Sequence, residues 1–179
     1  MGAAALGVFL RPMSEALGWN FTQISAAVAV QGALSMVLGP LVGPLLDRYG
    51  ARPVMVFGAL TAGLGLMMLS QVQEIWQFYV LYAIVGAFGL QETGRTTTSV
   101  AISKWFVRKL NRALAIASVG SPVGGMMMVP IIAVLIGTLG WREAWFFLGV
   151  VLLVMLLPPT LLWVRRSPED MGLYPDGEP

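Results

Sequence analysis

Long stretches of this chain carry no charged residue, among them Phe21 to Leu46, Ala113 to Trp141 and Ala144 to Val164. A helix rises ~1.5 Å per residue and a bilayer's hydrocarbon core is ~30 Å thick, so each run is long enough to cross it. A helix of that length in a water-soluble fold would keep one charged face. These runs have none. The chain as a whole is 57% hydrophobic and 11% charged, against about 25% charged residues in an ordinary soluble domain. A soluble globular domain is excluded, and the fold class is all-α, a polytopic membrane helix bundle.

The residue inventory narrows the chemistry further. With no Cys and no His, there is no disulfide framework, no thiolate or imidazole metal site and no Ser-His dyad. Asp47 is the only Asp before residue 170, which removes a two-Asp intramembrane protease. The chain is therefore not expected to be an enzyme, and no cofactor or metal is expected. The net charge of +2 comes from basic residues clustered between apolar runs, with no basic face interleaved with aromatics, so nucleic acid is not an expected partner. The expected partner is the lipid bilayer.

The spans fall at about 21–46, 53–73, 75–103, 113–139 and 144–164, after a partial first span within about 1–17. Only ten residues, Met1 to Leu10, precede the first charge at Arg11, about half a bilayer core in length, so the first helix is expected to be truncated. Residues 1–166 make up the bundle, and 167–179, polar and containing Pro and Gly, form a cytoplasmic tail or the start of a linker. One set of flanks holds Arg48, Arg52, Lys104, Arg108, Lys109, Arg112, Arg165 and Arg166, whereas the other holds only Arg11 and Arg142. Short loops rich in Lys and Arg stay in the cytoplasm, so the first set is cytoplasmic. The six Trp residues (19, 76, 105, 141, 145 and 163) lie at or near span ends, where their rings can anchor at the headgroups.

Inside the spans, Gly39 and Gly43, and Gly120 and Gly124, stand four residues apart and predict flat faces for close helix packing. Pro40, Pro44, Pro122 and Pro130 would end soluble helices but are tolerated in a membrane bundle, where neighbours satisfy the freed carbonyls.

The turn between the second and third spans reads GPLLDRYGARP, with Gly43, Asp47, Arg48, Gly50 and Arg52 at the spacing Gly-x-x-x-Asp-Arg-x-Gly-x-Arg. Gly43 permits close helix contact, Asp47 can face the positive end of a neighbouring helix, and Gly50 permits a left-handed turn. Arg48 and Arg52 can pair with carboxylates or with the lipid surface. This loop resembles the signature loop of the major facilitator superfamily, in which it latches the cytoplasmic side shut in one of two alternating states. The segments from Lys104 to Gly125 and from Gly140 to Trp145 resemble the monocarboxylate-transporter-like branch of that family, which includes oxalate/formate exchangers. The resemblance implies the N-terminal six-helix half of a twelve-helix carrier in the plasma (inner) membrane, with a second half as its partner. It also implies nested inverted repeats of three helices. Of these, the sequence shows only Gly39/Gly43 matching Gly120/Gly124.

Span four holds Glu92 and Arg95, the only ionisable residues well inside an expected hydrocarbon region. Counted back from Lys104 they lie about 18 Å and about 14 Å from the cytoplasmic flank. At ~100° per residue, Gln91, Glu92, Arg95, Thr98 and Ser99 share a sector of roughly 120°. An Arg at that depth costs at least ~2.5 kcal/mol in lipid, so the sector should face the bundle interior or a water-filled cavity. Two readings stay open. The pair can be self-neutralising and purely structural. Alternatively, Arg95 binds the carboxylate of a small organic anion, with Gln91 and Ser99 beside it, and Glu92 carries a proton. A carboxylate bound at Arg95 removes that cation's hold on Glu92, so substrate binding and protonation would favour each other. At the level of the whole chain, an exporter of drug-like compounds and a non-transporting truncated subunit also remain open.

Overall fold

The computed structural model describes residues 3–90, 99, 102, 103, 106 and 108–162. Among the described residues there are helices and short turns and no strand. The elements are α1 (Ala3–Leu17), α2 (Phe21–Tyr49), α3 (Ala51–Leu69), α4 (Ile75–Ile84, continued by a π-helical stretch, Val85–Leu90), α5 (Leu110–Leu139) and α6 (Trp141–Leu162). Four helices are long and apolar enough to cross a membrane, within Phe21–Pro40, Arg52–Leu69, Leu110–Leu139 and Trp141–Leu162, and Ile75–Gly89 is a shorter apolar helix. The expected fourth span, 75–103, lies partly outside the described residues.

Several helix ends pass the limits of the spans read from charge, whereas α3 ends at Leu69, short of residue 73. Asp47 and Arg48 lie inside α2, Arg112 inside the first turn of α5, and Arg142 and Glu143 inside the first turn of α6. Arg11 does not end α1 either; its Nε donates to Glu15 Oε1 at 2.9 Å, one turn on. The reason is physical: a charge marks where hydrocarbon gives way to headgroups, while backbone hydrogen bonding continues into the interface. All four expected prolines lie within continuous helices.

Packing follows a pattern the sequence showed only faintly. The most extensive pairing is α3 with α6; α1 packs on α5, α2 on α4, α2 on α3, and α5 on α6. Exchanging each of the first three helices with the one three places later maps α1·α5 onto α4·α2 and α2·α3 onto α5·α6, and returns α3·α6 to itself. These pairings are the ones two three-helix repeats would share, whereas α3 on α4 and α1 on α2 have no equally close counterpart among the described residues. Its core runs through Phe9, Met13, Ile24, Leu69, Phe78, Ile132 and Leu148, all essentially inaccessible to solvent.

The glycines that set the helix spacing are not the expected ones. Among the described residues no atom lies within 4 Å of a Cβ built at Gly39, Gly120 or Gly124, so within the described bundle these three do not set a helix spacing. Gly43 lies on α2, and its surroundings are outside the described residues. The close approaches are at Gly149 of α6, where a Cβ would lie 2.6 Å from the Gly63 carbonyl oxygen of α3, and at Gly89, 2.7 Å from Ala62 Cα. α3 is therefore held between α6 on one side and the π-helical stretch of α4 on the other. The two Trp residues at the head of α6 also depart from expectation. Trp141 and Trp145 are buried, and Trp145 stacks on Phe9 with ring centroids 4.0 Å apart. Trp76, by contrast, is 62% exposed, as an interfacial ring should be.

Candidate functional site

Two regions bear on function: the turn after α2 and the polar residues within the bundle. In the turn, Gly50 is the residue before α3 and adopts φ 82°, ψ 171°, a conformation essentially confined to glycine. Arg48 is exposed and its guanidinium lies 5.4 Å from the Tyr49 ring centroid. Among the described residues, the partner of Arg52 is a backbone carbonyl. Its Nη2 donates to the Leu161 carbonyl at 2.6 Å, in the last turn of α6, where the backbone carbonyls have no intrahelical donor and a cation is favoured. The Asp47 side chain is outside the described residues.

The opposite end of the same helix pair repeats the arrangement. Gly140 precedes α6 with φ 98°, ψ 166°, and Arg142, like Arg52, is the second residue of its helix. Arg142 Nη1 donates to the carbonyl of Ser70, the C-cap of α3, at 2.8 Å. Its guanidinium also lies 4.4 Å from the Trp141 ring centroid. Each helix of the pair thus sends an Arg from its head to cap the tail of the other. The sequence carried this signal as Gly-Ala-Arg at 50–52 and Gly-Trp-Arg at 140–142, a repeat that the comparison of span interiors missed.

Of the intramembrane candidates, Gln91, Glu92 and Arg95 lie outside the described residues; Ser99 is helical and exposed. Immediately before them, α4 widens into the π-helical stretch, whose i→i+5 hydrogen bonds recur at functional sites. A uniform 100° step does not hold through this stretch. Facing it across the α2·α4 contact is a polar group that sequence reasoning passed over, and a second stands one turn along on α2. The side chain of Gln31 lies against Gly86 in the π-helical stretch, and Ser35 Oγ, one turn further along α2, is buried without a hydrogen-bond partner. Polar residues at i and i+4 in an otherwise apolar span were the available signal. Nearer the Phe21 end, Tyr79 Oη donates to the Gln23 carbonyl at 2.9 Å and joins α4 to α2.

A bundle of apolar helices with an arginine-capped turn and polar groups inside is the framework of a multi-pass membrane protein. Comparison with known proteins identifies the group. Residues 1–178 match the model of the Major Facilitator Superfamily, and the chain belongs to that superfamily. It is 27% identical over 161 residues to the uncharacterized MFS-type transporter YcxA of Bacillus subtilis, covering 90% of this chain and 40% of that protein. It is 28% identical over 149 residues to human monocarboxylate transporter 2, covering 83% of this chain and 31% of that protein. To rat monocarboxylate transporter 4 it is 26% identical over 168 residues, 94% of this chain and 36% of that protein. The chain therefore spans well under half the length of these relatives.

Proposed function

We propose that this chain forms one half of a plasma-membrane carrier that moves small organic anions such as monocarboxylates by alternating access, coupled to protons. The observation that carries the reading is Arg95, a fixed cation paired in sequence with Glu92 inside the otherwise charge-free fourth span. Two of the three relatives described above are monocarboxylate transporters by name, which agrees with a carboxylate as the ligand. In this reading Arg95 offers a planar two-pronged donor to the substrate carboxylate. Gln91 and Ser99 flank it, Glu92 carries the proton, and the second six-helix half supplies the opposite wall. The turn bearing Gly43, Asp47, Arg48, Gly50 and Arg52 faces the cytoplasm and holds that side closed in one state.

The test is uptake of radiolabelled lactate by vesicles containing the product of the complete reading frame. Arg95→Lys keeps the charge and loses the fork, so affinity should fall while some transport survives. Arg95→Gln should abolish anion uptake without loss of folded protein. A merely structural ion pair predicts the opposite pattern, in which the Glu92→Gln/Arg95→Gln double variant regains both stability and uptake. Normal lactate uptake by that double variant would discard the substrate-binding role.

A further inference from the structure

Where α1, α2, α4 and α6 meet, a cavity of about 20 Å³ is lined by residues that include Phe9, Gln31, Tyr82, Gly86 and Trp145. Phe9 is fully buried and Trp145 is 3% exposed, so the site lies in the interior of the bundle. Trp145 Nε1 is buried and has no hydrogen-bond partner. An orphaned buried donor costs about 1–3 kcal/mol, and such groups in native folds are ordinarily satisfied by protein or by ordered water. The stack on Phe9 fixes the indole ring, so the N–H cannot be turned towards solvent without breaking that contact.

We infer that this cavity is the binding site of a single ordered water, which accepts from Trp145 Nε1 and donates to the Gln31 amide oxygen and the Tyr82 hydroxyl. The size agrees, and three lining residues carry polar groups. One water needs roughly 10–15 Å³ and two to four polar partners, which admits one molecule here and leaves no room for a second ligand. The chemistry of the set fits as well. Indole N–H is a donor only, while an amide oxygen and a phenolic oxygen both accept, so one water can serve all three. The bound water ties α6 to α2 and α4 beside Gly86, in the π-helical stretch where no side chain intervenes. Gly86 has a direct part in this, since a Cβ there would run into the Gln31 side chain and displace the amide from the cavity wall.

Two measurements on the full chain in lipid nanodiscs test the site. The first is radiolytic labelling in H₂¹⁸O, with exposed Trp76 as the bulk-solvent reference. A bound internal water should label Tyr82 and Trp145 despite their burial, with ¹⁸O incorporation lagging behind Trp76 after mixing. Absence of label on both would overturn the inference, as would incorporation in step with Trp76. The second is thermal unfolding of Trp145→Phe, Tyr82→Phe and the double variant. Trp145→Phe keeps a ring on Phe9 and removes only the indole N–H and its ring atoms. With a bridging water it should lower Tm by about 2–4 °C and be non-additive with Tyr82→Phe. A dry cavity predicts additive effects of the two substitutions, since the ring atoms lost in Trp145→Phe cost stability with or without a water.

Discussion

The α3·α6 pair and the α2·α5 pair are matched by the same repeat, yet they are built to opposite ends. α3 and α6 touch along the closest line in the molecule, with Gly149 set against the Gly63 carbonyl and the Met67 backbone N. Each is closed at its tail by the other's arginine. α2 and α5 carry their glycines at Gly39, Gly120 and Gly124 facing open space, beside large exposed apolar side chains such as Met36, Val37, Met126 and Met127. A glycine therefore has no fixed meaning in a membrane helix. In α3 and α6 it sets a distance within the bundle, whereas at Gly39, Gly120 and Gly124 no described residue lies close enough for it to do so.

Substituting the same residue at both kinds of site should separate them most widely. Gly149→Ala drives a Cβ into backbone atoms that cannot rotate away, and should cost about 1–3 kcal/mol, read as a fall in Tm in nanodiscs. Gly63→Ala should cost less, because its obstacle is the rotatable Leu153 side chain. If Gly149→Ala left Tm unchanged, the close α3·α6 line would not hold. A smaller effect is expected from the caps. Arg142→Gln loses a partly buried charged hydrogen bond and a ring contact, and should destabilise by about 1–2 kcal/mol. The exposed Arg52 bond should contribute less than about 1 kcal/mol, because solvent screens it. Equal losses from the two arginines would show that exposure does not distinguish the two ends.

How much of this could be read from residues alone follows from what each signal reports. Charge-free length identified the spans, because the cost of burying a charge in hydrocarbon acts locally and appears in local composition. Helix ends are a different quantity, since α1, α2 and α6 contain Arg11, Asp47 and Arg142. The turn at Gly50 was legible because a left-handed backbone demands glycine. The partner of Arg52 was not: Leu161 lies at the far end of the chain, and a backbone carbonyl leaves no mark in the side-chain sequence. The repeat was hidden for a similar reason, since its clearest trace is two short Gly-x-Arg heads whose likeness emerges only from what each Arg reaches. The π-helical stretch in α4 had no compositional signature, and it lies next to the candidate residues whose phase had been counted by regular helical steps.

The smallest expected effect is the most informative about the open face. Gly120→Ala and Gly124→Ala place a methyl where no neighbour lies within 4 Å, so neither should shift Tm by more than the equivalent of about 0.5 kcal/mol. Alanine's higher helix propensity acts in the same direction as any small gain. If α5 instead packs this face against another part of the bundle, both substitutions should cost as much as Gly149→Ala, and the contrast between the two helix pairs disappears. Under the proposed function the open face meets the second half of the carrier. The same two alanines, introduced into the product of the complete reading frame, should then reduce uptake while leaving the Tm of this bundle unchanged. Loss of bundle stability and loss of uptake are separately measurable. A variant that lost neither would leave α5's glycines without a close partner in either setting, and would remove the surface from the transport mechanism.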